Sequence, residues 1–76
     1  MAEKIFGHDV KISEKLREKI GKKVSVFVKN RYECYVKCTS GTIESVNGKV
    51  VILTERGRKK DVEIDEAKMF SFETTS

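Results

Sequence analysis

The sequence has 76 residues, of which 38% are hydrophobic and 37% are charged, and its formal net charge is +4 at pH 7. This length and composition predict one folded domain over residues 1–76 and exclude a disordered chain, because the sequence is too apolar and too well patterned. The sequence contains no run of about 18 apolar residues, which excludes a membrane span, and no secretory signal. Its two cysteines fit a reducing compartment, so we expect a cytoplasmic protein.

The first predicted element is a short helix over residues 14–20. Ser13 is a suitable N-terminal cap, because its hydroxyl can accept a backbone N–H of the first turn. Leu16 and Ile20 lie one turn apart on a single face, and Gly21 can adopt the left-handed conformation that ends a helix. Because about two turns are not stable alone in water, we expect the helix to dock through Leu16 and Ile20.

From residue 23 onward, apolar and polar residues alternate, which is the period of β-strands. Residues 24–28 form the first predicted strand, and residues 32–46 form one long strand. We expect the long strand to bend at Gly41, because a glycine inside a strand usually marks a bulge or a sharp bend.

The Asn-Gly dipeptide at residues 47–48 is the strongest local signal in the sequence. It favours a two-residue type I′ hairpin turn, in which both central residues have positive φ. Such a turn pairs Ser45 with Val50 and Ile43 with Ile52. The sequence therefore predicts a tight antiparallel hairpin at this point.

The strand at residues 50–53 is apolar on both faces, so we expect one face to fill the core and the other to contact the helix or a neighbouring subunit. Two further strands follow, and in the last one Phe70 and Phe72 share a face. One helix and five strands with tight turns predict a mainly β fold. The fold class is a short N-terminal helix followed by a strongly bent, five-stranded antiparallel SH3-like or Sm-like barrel over residues 23–73, with a frayed tail at residues 74–76.

Cys34 and Cys38 alternate with Val36 on the apolar face of the long strand, so both are predicted to be small core residues. In a strand they lie about 13 Å apart, at roughly 3.3 Å per residue, which is too far for a disulfide. The single histidine, His8, and two thiols do not supply four zinc ligands, and we find no nucleophile elbow or phosphate-binding loop. We expect no metal, no cofactor and no catalytic residue.

Basic residues are concentrated near tyrosines and in turns. Residues 1–38 contain ten Lys and Arg residues against five Asp and Glu residues, and local positive charge favours phosphates as partners. Tyrosines beside such cations can stack on bases. The predicted nucleic-acid-binding residues are Lys29, Arg31, Tyr32, Tyr35, Arg56, Arg58, Lys59 and Lys60. The alternative interpretation places Tyr32 on the core face and leaves the cations simply solvated.

The order of elements resembles the Sm-like proteins, including their Hfq branch. The resemblance covers residues 13–73 and rests on the helix and on residues 23–28, 40–46, 50–54, 62–64 and 69–72. It implies RNA binding and assembly into a ring. The Asp-x-x-Met-Asn signature of the Sm uridine pocket is absent, so the resemblance assigns no pocket residues.

A second resemblance is to the small Veg proteins, which pair a short helix with an SH3-like barrel. It rests on residues 20–24 and 40–43 and implies gene regulation through a protein partner. The leading hypothesis is a non-enzymatic nucleic-acid-binding barrel, with RNA favoured over DNA. The alternative is a protein-interaction or self-assembly module of the Veg regulatory type, which would contact a protein partner or a second copy through the helix and the strand from Val50 to Leu53.

Overall fold

The computed structural model describes residues 2–73 and contains one helix and six strands in this range. The elements are β1 (Ala2–Phe6), α1 (Ile12–Arg17), β2 (Lys23–Lys29), β3 (Tyr35–Val46), β4 (Lys49–Leu53), β5 (Lys59–Glu63) and β6 (Lys68–Glu73). All neighbouring strands are antiparallel, and they form one sheet in the order β1-β6-β2-β3-β4-β5. The tail predicted to fray, residues 74–76, lies outside the described residues.

The prediction of a mainly β fold with one short helix is confirmed, but the five-stranded closed barrel is wrong. The additional strand is β1, which precedes the helix and pairs with β6, so that Ile5 lies opposite Phe70. Within the described residues, β1 and β5 are the two edges of an open sheet and do not pair with each other. The sequence did not predict β1 because Ile5 is the only residue of this strand that is buried, so no alternating apolar pattern marks it.

The hydrophobic core lies between the helix and one face of the sheet, which we call the inner face. The helix packs against β1 and β3. Phe70, Leu16, Ile43 and Ile52 are among the largest fully buried side chains. Because every strand contributes at least one residue to this cluster, the core joins the first and last strands of the chain.

The helix begins two residues earlier than predicted and is shorter. Its N-cap residue is Lys11, and no side chain caps the first turn, so the predicted capping role of Ser13 is wrong. Ile12 and Leu16 are the buried pair, whereas 47% of Ile20 is exposed. The start is set by Asp9, whose carboxylate accepts the Lys11 N–H at 2.9 Å and directs Ile12 into the core. The predicted stop at Gly21 is wrong, because the helix ends at Arg17 and its C-cap residue, Glu18, has a right-handed conformation. Gly21 does have a positive φ, of +90°, but it lies in the turn that leads into β2.

The hairpin between β3 and β4 differs from a type I′ turn. Gly48 has a φ of +76°, but Asn47 does not have positive φ. The predicted pairing of Ile43 with Ile52 is confirmed, whereas Val50 lies opposite Val46 instead of Ser45. The cause is an irregularity between Ile43 and Ser45, which inserts an extra residue into β3.

Gly41 lies where β3 passes from pairing with β2 to pairing with β4. A Cβ atom at this position would lie 2.3 Å from the Leu53 carbonyl oxygen and 2.7 Å from Cγ2 of Ile52. The close approach of β4 to the backbone of β3 therefore requires glycine at residue 41.

Candidate functional site

The face of the sheet opposite the core, which we call the outer face, carries a mixed aromatic and basic surface. Strand pairing arranges its side chains in rows that cross β1, β6, β2 and β3. One row is Phe6–Met69–Phe27–Lys37, and the next is Lys4–Ser71–Ser25–Ser40. Successive rows on one face are about 7 Å apart, because they are separated by two residues of each strand.

Three aromatic rings meet at one end of the outer face, and we call them the aromatic cluster: Phe6, His8 and Tyr35. The ring centroids of Phe6 and His8 are 5.5 Å apart and their planes differ by 24°, which is a stacked arrangement. The Phe6 and Tyr35 centroids are 6.0 Å apart with a tilt of 55°. Lys29 lies opposite Tyr35 in the strand register and borders the same depression, of about 470 Å³, as His8 and Tyr35. The cluster therefore places exposed ring surface beside a cation.

A larger open depression of about 920 Å³, which we call the lysine groove, follows the same face away from the aromatic cluster. Phe27 and Lys37 connect it to the row that contains Phe6. Its cations are Lys19, Lys22, Lys23 and Lys37, its hydroxyl groups belong to Ser25, Ser40, Thr42, Thr54 and Ser71, and its carboxylates belong to Glu55 and Glu73. The groove thus has a floor of small hydroxyl side chains and a predominantly positive rim.

Of the four groove lysines, three form no ion pair within residues 2–73, although the groove also contains two carboxylates. Lys19 forms an ion pair with Glu3, and its Nζ lies 5.7 Å from the ring centroid of Phe72. Among residues 2–73, Lys22, Lys23 and Lys37 form no ion pair. All three side chains are exposed, so their ammonium groups are available to an anionic ligand.

In the first predicted basic turn, some residues lie on the outer face of the sheet and others project into the solvent. Lys29 and Tyr35 end the turn on the outer face, whereas Arg31 and Tyr32 lie at its tip. The Asn30 side chain fixes the turn by accepting the N–H groups of Tyr32 at 2.9 Å and of Cys34 at 3.1 Å. The alternative that Tyr32 belongs to the core is wrong, because 74% of this residue is exposed and Arg31 lies over its ring at 5.4 Å.

The second predicted basic turn joins β4 to β5. Its ends are held together by Thr54, whose N–H donates to the Arg58 carbonyl at 2.8 Å and whose hydroxyl accepts the Arg58 N–H at 3.2 Å. Arg56, Arg58, Lys59 and Lys60 are all exposed. Lys59 is partly neutralised, since its Nζ lies 3.3 Å from a carboxylate oxygen of Glu44.

The two basic turns lie at the same end of the β2-β3-β4-β5 meander but not in the same row. Lys29 pairs with Tyr35, whereas Leu53, which precedes the second turn, pairs with Thr42. These two positions are seven residues apart on β3, which corresponds to about 23 Å in an extended strand. The lysine groove occupies the interval between them, since Lys37, Ser40 and Thr42 line it.

Sequence reasoning identified Lys29 and Tyr35 but missed Phe6, His8 and Lys37. Phe6 and His8 were missed because β1 was not predicted, and only this strand brings them to Tyr35. Lys37 could have been found from the alternation of β3, which places it on the face opposite the core.

The prediction that Cys34 and Cys38 are core residues is wrong, since both are free and exposed. Cys34 lies in the turn before β3. Cys38 lies at an irregularity where β3 shifts its register against β2, so that Thr39, and not Cys38, pairs with the core residue Val26. The extra residue breaks the alternation on which the prediction depended.

No protein-family model, no curated protein and no solved structure matches the chain. The resemblance to Sm-like and Veg proteins therefore stays a prediction from sequence. Among residues 2–73, no group of three or more His, Cys, Asp or Glu side chains is arranged to hold a metal ion. The described part of the chain also contains no helix with the length and apolar character needed to cross a lipid bilayer.

The turn before β6, which borders the aromatic cluster, contains an ion pair that makes stability depend on pH. The Lys68 ammonium donates to the Asp65 carboxylate at 3.0 Å, and the Ala67 N–H donates to it at 2.9 Å. The hydrogen bond from Lys68, followed by the one from Ala67, holds the pKa of Asp65 below its ordinary value. Because the folded-state pKa is lowered, the stabilisation is present above the pKa of the unfolded chain and is lost as pH falls through the folded pKa.

We expect the Asp65→Asn variant to have a slightly lower melting temperature than the wild type at pH 7. The difference in melting temperature should shrink as pH is lowered below the ordinary aspartate pKa of about 3.9. The wild-type carboxylate then becomes protonated and, like the asparagine amide, carries no charge. Thermal denaturation followed by circular dichroism between neutral pH and pH 2 checks this result. A difference that stays constant across this range would show that the ion pair makes no contribution.

Proposed function

We propose that the chain is a non-enzymatic nucleic-acid-binding domain, with RNA favoured over DNA, and that its binding surface is the outer face of the sheet. The observation that carries this proposal is the aromatic cluster of Phe6, His8 and Tyr35 beside Lys29. Aromatic rings provide stacking surfaces for bases, and lysines that are free of carboxylate partners can neutralise phosphates.

The predicted contacts in the two turns belong to the same proposal. Arg31 and Tyr32 extend the surface beyond the aromatic cluster, and Tyr32 is exposed enough to stack on a base. The second turn borders the lysine groove through Thr54 and Glu55, so the cations that follow can reach a phosphate backbone there. These cations are Arg56, Arg58, Lys59 and Lys60.

RNA is favoured because the proposed contacts need bases with accessible faces. Folded RNA presents such bases in its loops, bulges and single-stranded ends, where they stack on aromatic side chains. The hydroxyl groups of Ser25, Ser40 and Ser71 lie in the same surface and can exchange hydrogen bonds with ribose 2′-hydroxyls.

The test is to titrate the protein into a fluorescently labelled pool of RNA and DNA oligonucleotides and to measure binding by fluorescence anisotropy at increasing salt concentrations. We expect binding at about 50 mM salt and a linear decrease of the logarithm of affinity with the logarithm of salt concentration, as counterion release requires. The Tyr35→Ala variant should bind about 5-fold to 100-fold more weakly, which corresponds to the loss of one stacking contact. The Tyr35→Phe variant retains the ring and serves as the matched control.

If no nucleic acid binds the wild type at low salt, the proposed function is wrong. Circular dichroism of both Tyr35 variants must show a folded protein, because Tyr35 also contacts Phe6. A Tyr35→Ala variant that is folded and binds like the wild type would exclude the aromatic cluster as the binding surface.

The open sheet favours a second candidate function, that of a protein-interaction or self-assembly module. Within residues 2–73, β1 and β5 are edge strands, and edge strands carry backbone groups that can pair with another chain. Val51 and Leu53 are half-buried on the outer side of β4, so a protein partner there would bury them further. Sedimentation equilibrium distinguishes the candidates, because a strictly monomeric protein that binds RNA would argue against self-assembly.

A further inference from the structure

We infer, on the basis of the proposed function, that the ligand is an unpaired strand that runs from the aromatic cluster into the lysine groove. Its bases would stack on Tyr35 and Phe6, and its phosphates would follow Lys37 and Lys23. This inference names both the substrate class, single-stranded instead of duplex nucleic acid, and the path of the strand across the sheet.

The path is defined by consecutive rows of the outer face. Lys29 and Tyr35 form the first row, Phe27 and Lys37 belong to the second, Ser25 and Ser40 to the third, and Lys23 and Thr42 to the fourth. Three intervals of about 7 Å give the path a length of about 20 Å. A length of this order accommodates a few nucleotides, near the lower end of the range that small sheet-based sites cover.

The types of side chain along the path change in the order that a single-stranded nucleic acid requires. Ring surface is concentrated at the end that contains Phe6 and Tyr35, where a base can stack. In the middle, β6, β2 and β3 present the short hydroxyl side chains of Ser71, Ser25 and Ser40, so that a sugar or a phosphate can approach these strands closely. The far end has the exposed ammonium groups of Lys22 and Lys23, which form no ion pair within the described residues.

A duplex fits this surface less well than a single strand. In a duplex the base faces are already stacked on one another and cannot contact the aromatic cluster. The helix is six residues long and buries Ile12 and Leu16, so it is not free to enter a major groove. The hairpin of β4 and β5 is the element that would contact a duplex, through Arg56 and Arg58, and the experiment separates this arrangement from the proposed one.

The experiment compares a 12-nucleotide uridine RNA, a DNA of the same length and a 12-base-pair RNA duplex by fluorescence anisotropy. We expect the wild type to bind the single-stranded RNA at least about 10-fold more tightly than the duplex at the same salt, since only unpaired bases can stack. The Lys23→Gln/Lys37→Gln double variant should reduce the salt slope for the single strand by about 1.4, at roughly 0.7 for each lost phosphate contact.

The matched control is the Lys11→Gln/Lys49→Gln double variant. It changes the net charge by the same amount, and both lysines are exposed but border neither the aromatic cluster nor the lysine groove. Its salt slope should remain within about 0.3 of the wild-type value. Charges that lie far from the bound RNA are screened by salt and contribute little to its binding. Circular dichroism should show both variants folded.

The outcomes separate this inference from the proposed function. A duplex that binds as tightly as the single strand, or equal slopes for the two double variants, would overturn the inferred path and leave nucleic-acid binding intact. No binding to any of the three oligonucleotides would overturn both. A polyglutamate peptide that displaces the RNA when both are at the same concentration of negative charge would overturn the inference too. Such displacement would mean that the site binds any polyanion and does not recognise bases.

Discussion

The Gly41→Ala variant is expected to lose about 3 kcal/mol of its free energy of unfolding, which is the upper end of the usual cost of overpacking, because the new Cβ meets rigid backbone atoms. The new Cβ would lie 2.3 Å from the Leu53 carbonyl oxygen, which is backbone and cannot rotate away. A domain of 76 residues has about 4–11 kcal/mol of stability in total. The loss is therefore a large fraction of the whole, and urea denaturation followed by circular dichroism measures it.

The Gly48→Ala variant is the matched control for this change. Gly48 has a φ of +76°, but a Cβ there would meet nothing within 4 Å. Its cost is then limited to the backbone strain of an alanine in the left-handed region, which is about 1–2 kcal/mol. A Gly41→Ala variant that is no less stable than Gly48→Ala would contradict the close approach of β3 and β4.

The Phe70→Ala variant is expected to be destabilised by about 3–5 kcal/mol, the usual cost of removing a buried aromatic side chain. Phe70 is fully buried, and its strand neighbours Ile5 and Val26 are buried as well. Because β6 lies between β1 and β2, the cavity would weaken both of its interfaces. Thermal denaturation should show a much lower midpoint or no cooperative transition.

The Tyr32→Ala variant provides the comparison, since it also removes a large ring. Tyr32 is 74% exposed, so its loss should change the stability by about 0.5 kcal/mol or less. Similar destabilisation by the two variants would mean that Phe70 is not in the core.

Most of the sheet could be predicted from the sequence because local alternation marks its inner strands. In β2, the buried residues Val24 and Val26 alternate with the half-buried residues Ser25 and Phe27. In β1 it is absent, since this strand is held mainly by its pairing with β6 at the other end of the sequence. A contact between residues so distant in the chain leaves no local pattern, and this is why the open, six-stranded sheet was not predicted.

The candidate site, like the sheet, could be predicted only where a local sequence pattern marks it. Lys29 and Tyr35 stand beside a turn that the sequence indicates, so their proximity follows from a single hairpin. Phe6 and His8 reach Tyr35 only through β1, and no signal near Tyr35 points to them. The exposed position of Cys38 was unpredictable for another reason, because one inserted residue in β3 changes which side chains face inward.

The position of β1 at the edge of the sheet has a consequence for the aromatic cluster. Residues of β1 pair with a strand on one side only, and such segments open locally more readily than strands paired on both sides. Whenever β1 detaches, Phe6 leaves Tyr35, and the stacking surface is dismantled although the rest of the sheet stays folded. Any ligand that uses both rings would therefore hold the first strand in place, so that recognition and the ordering of this part of the chain become a single event.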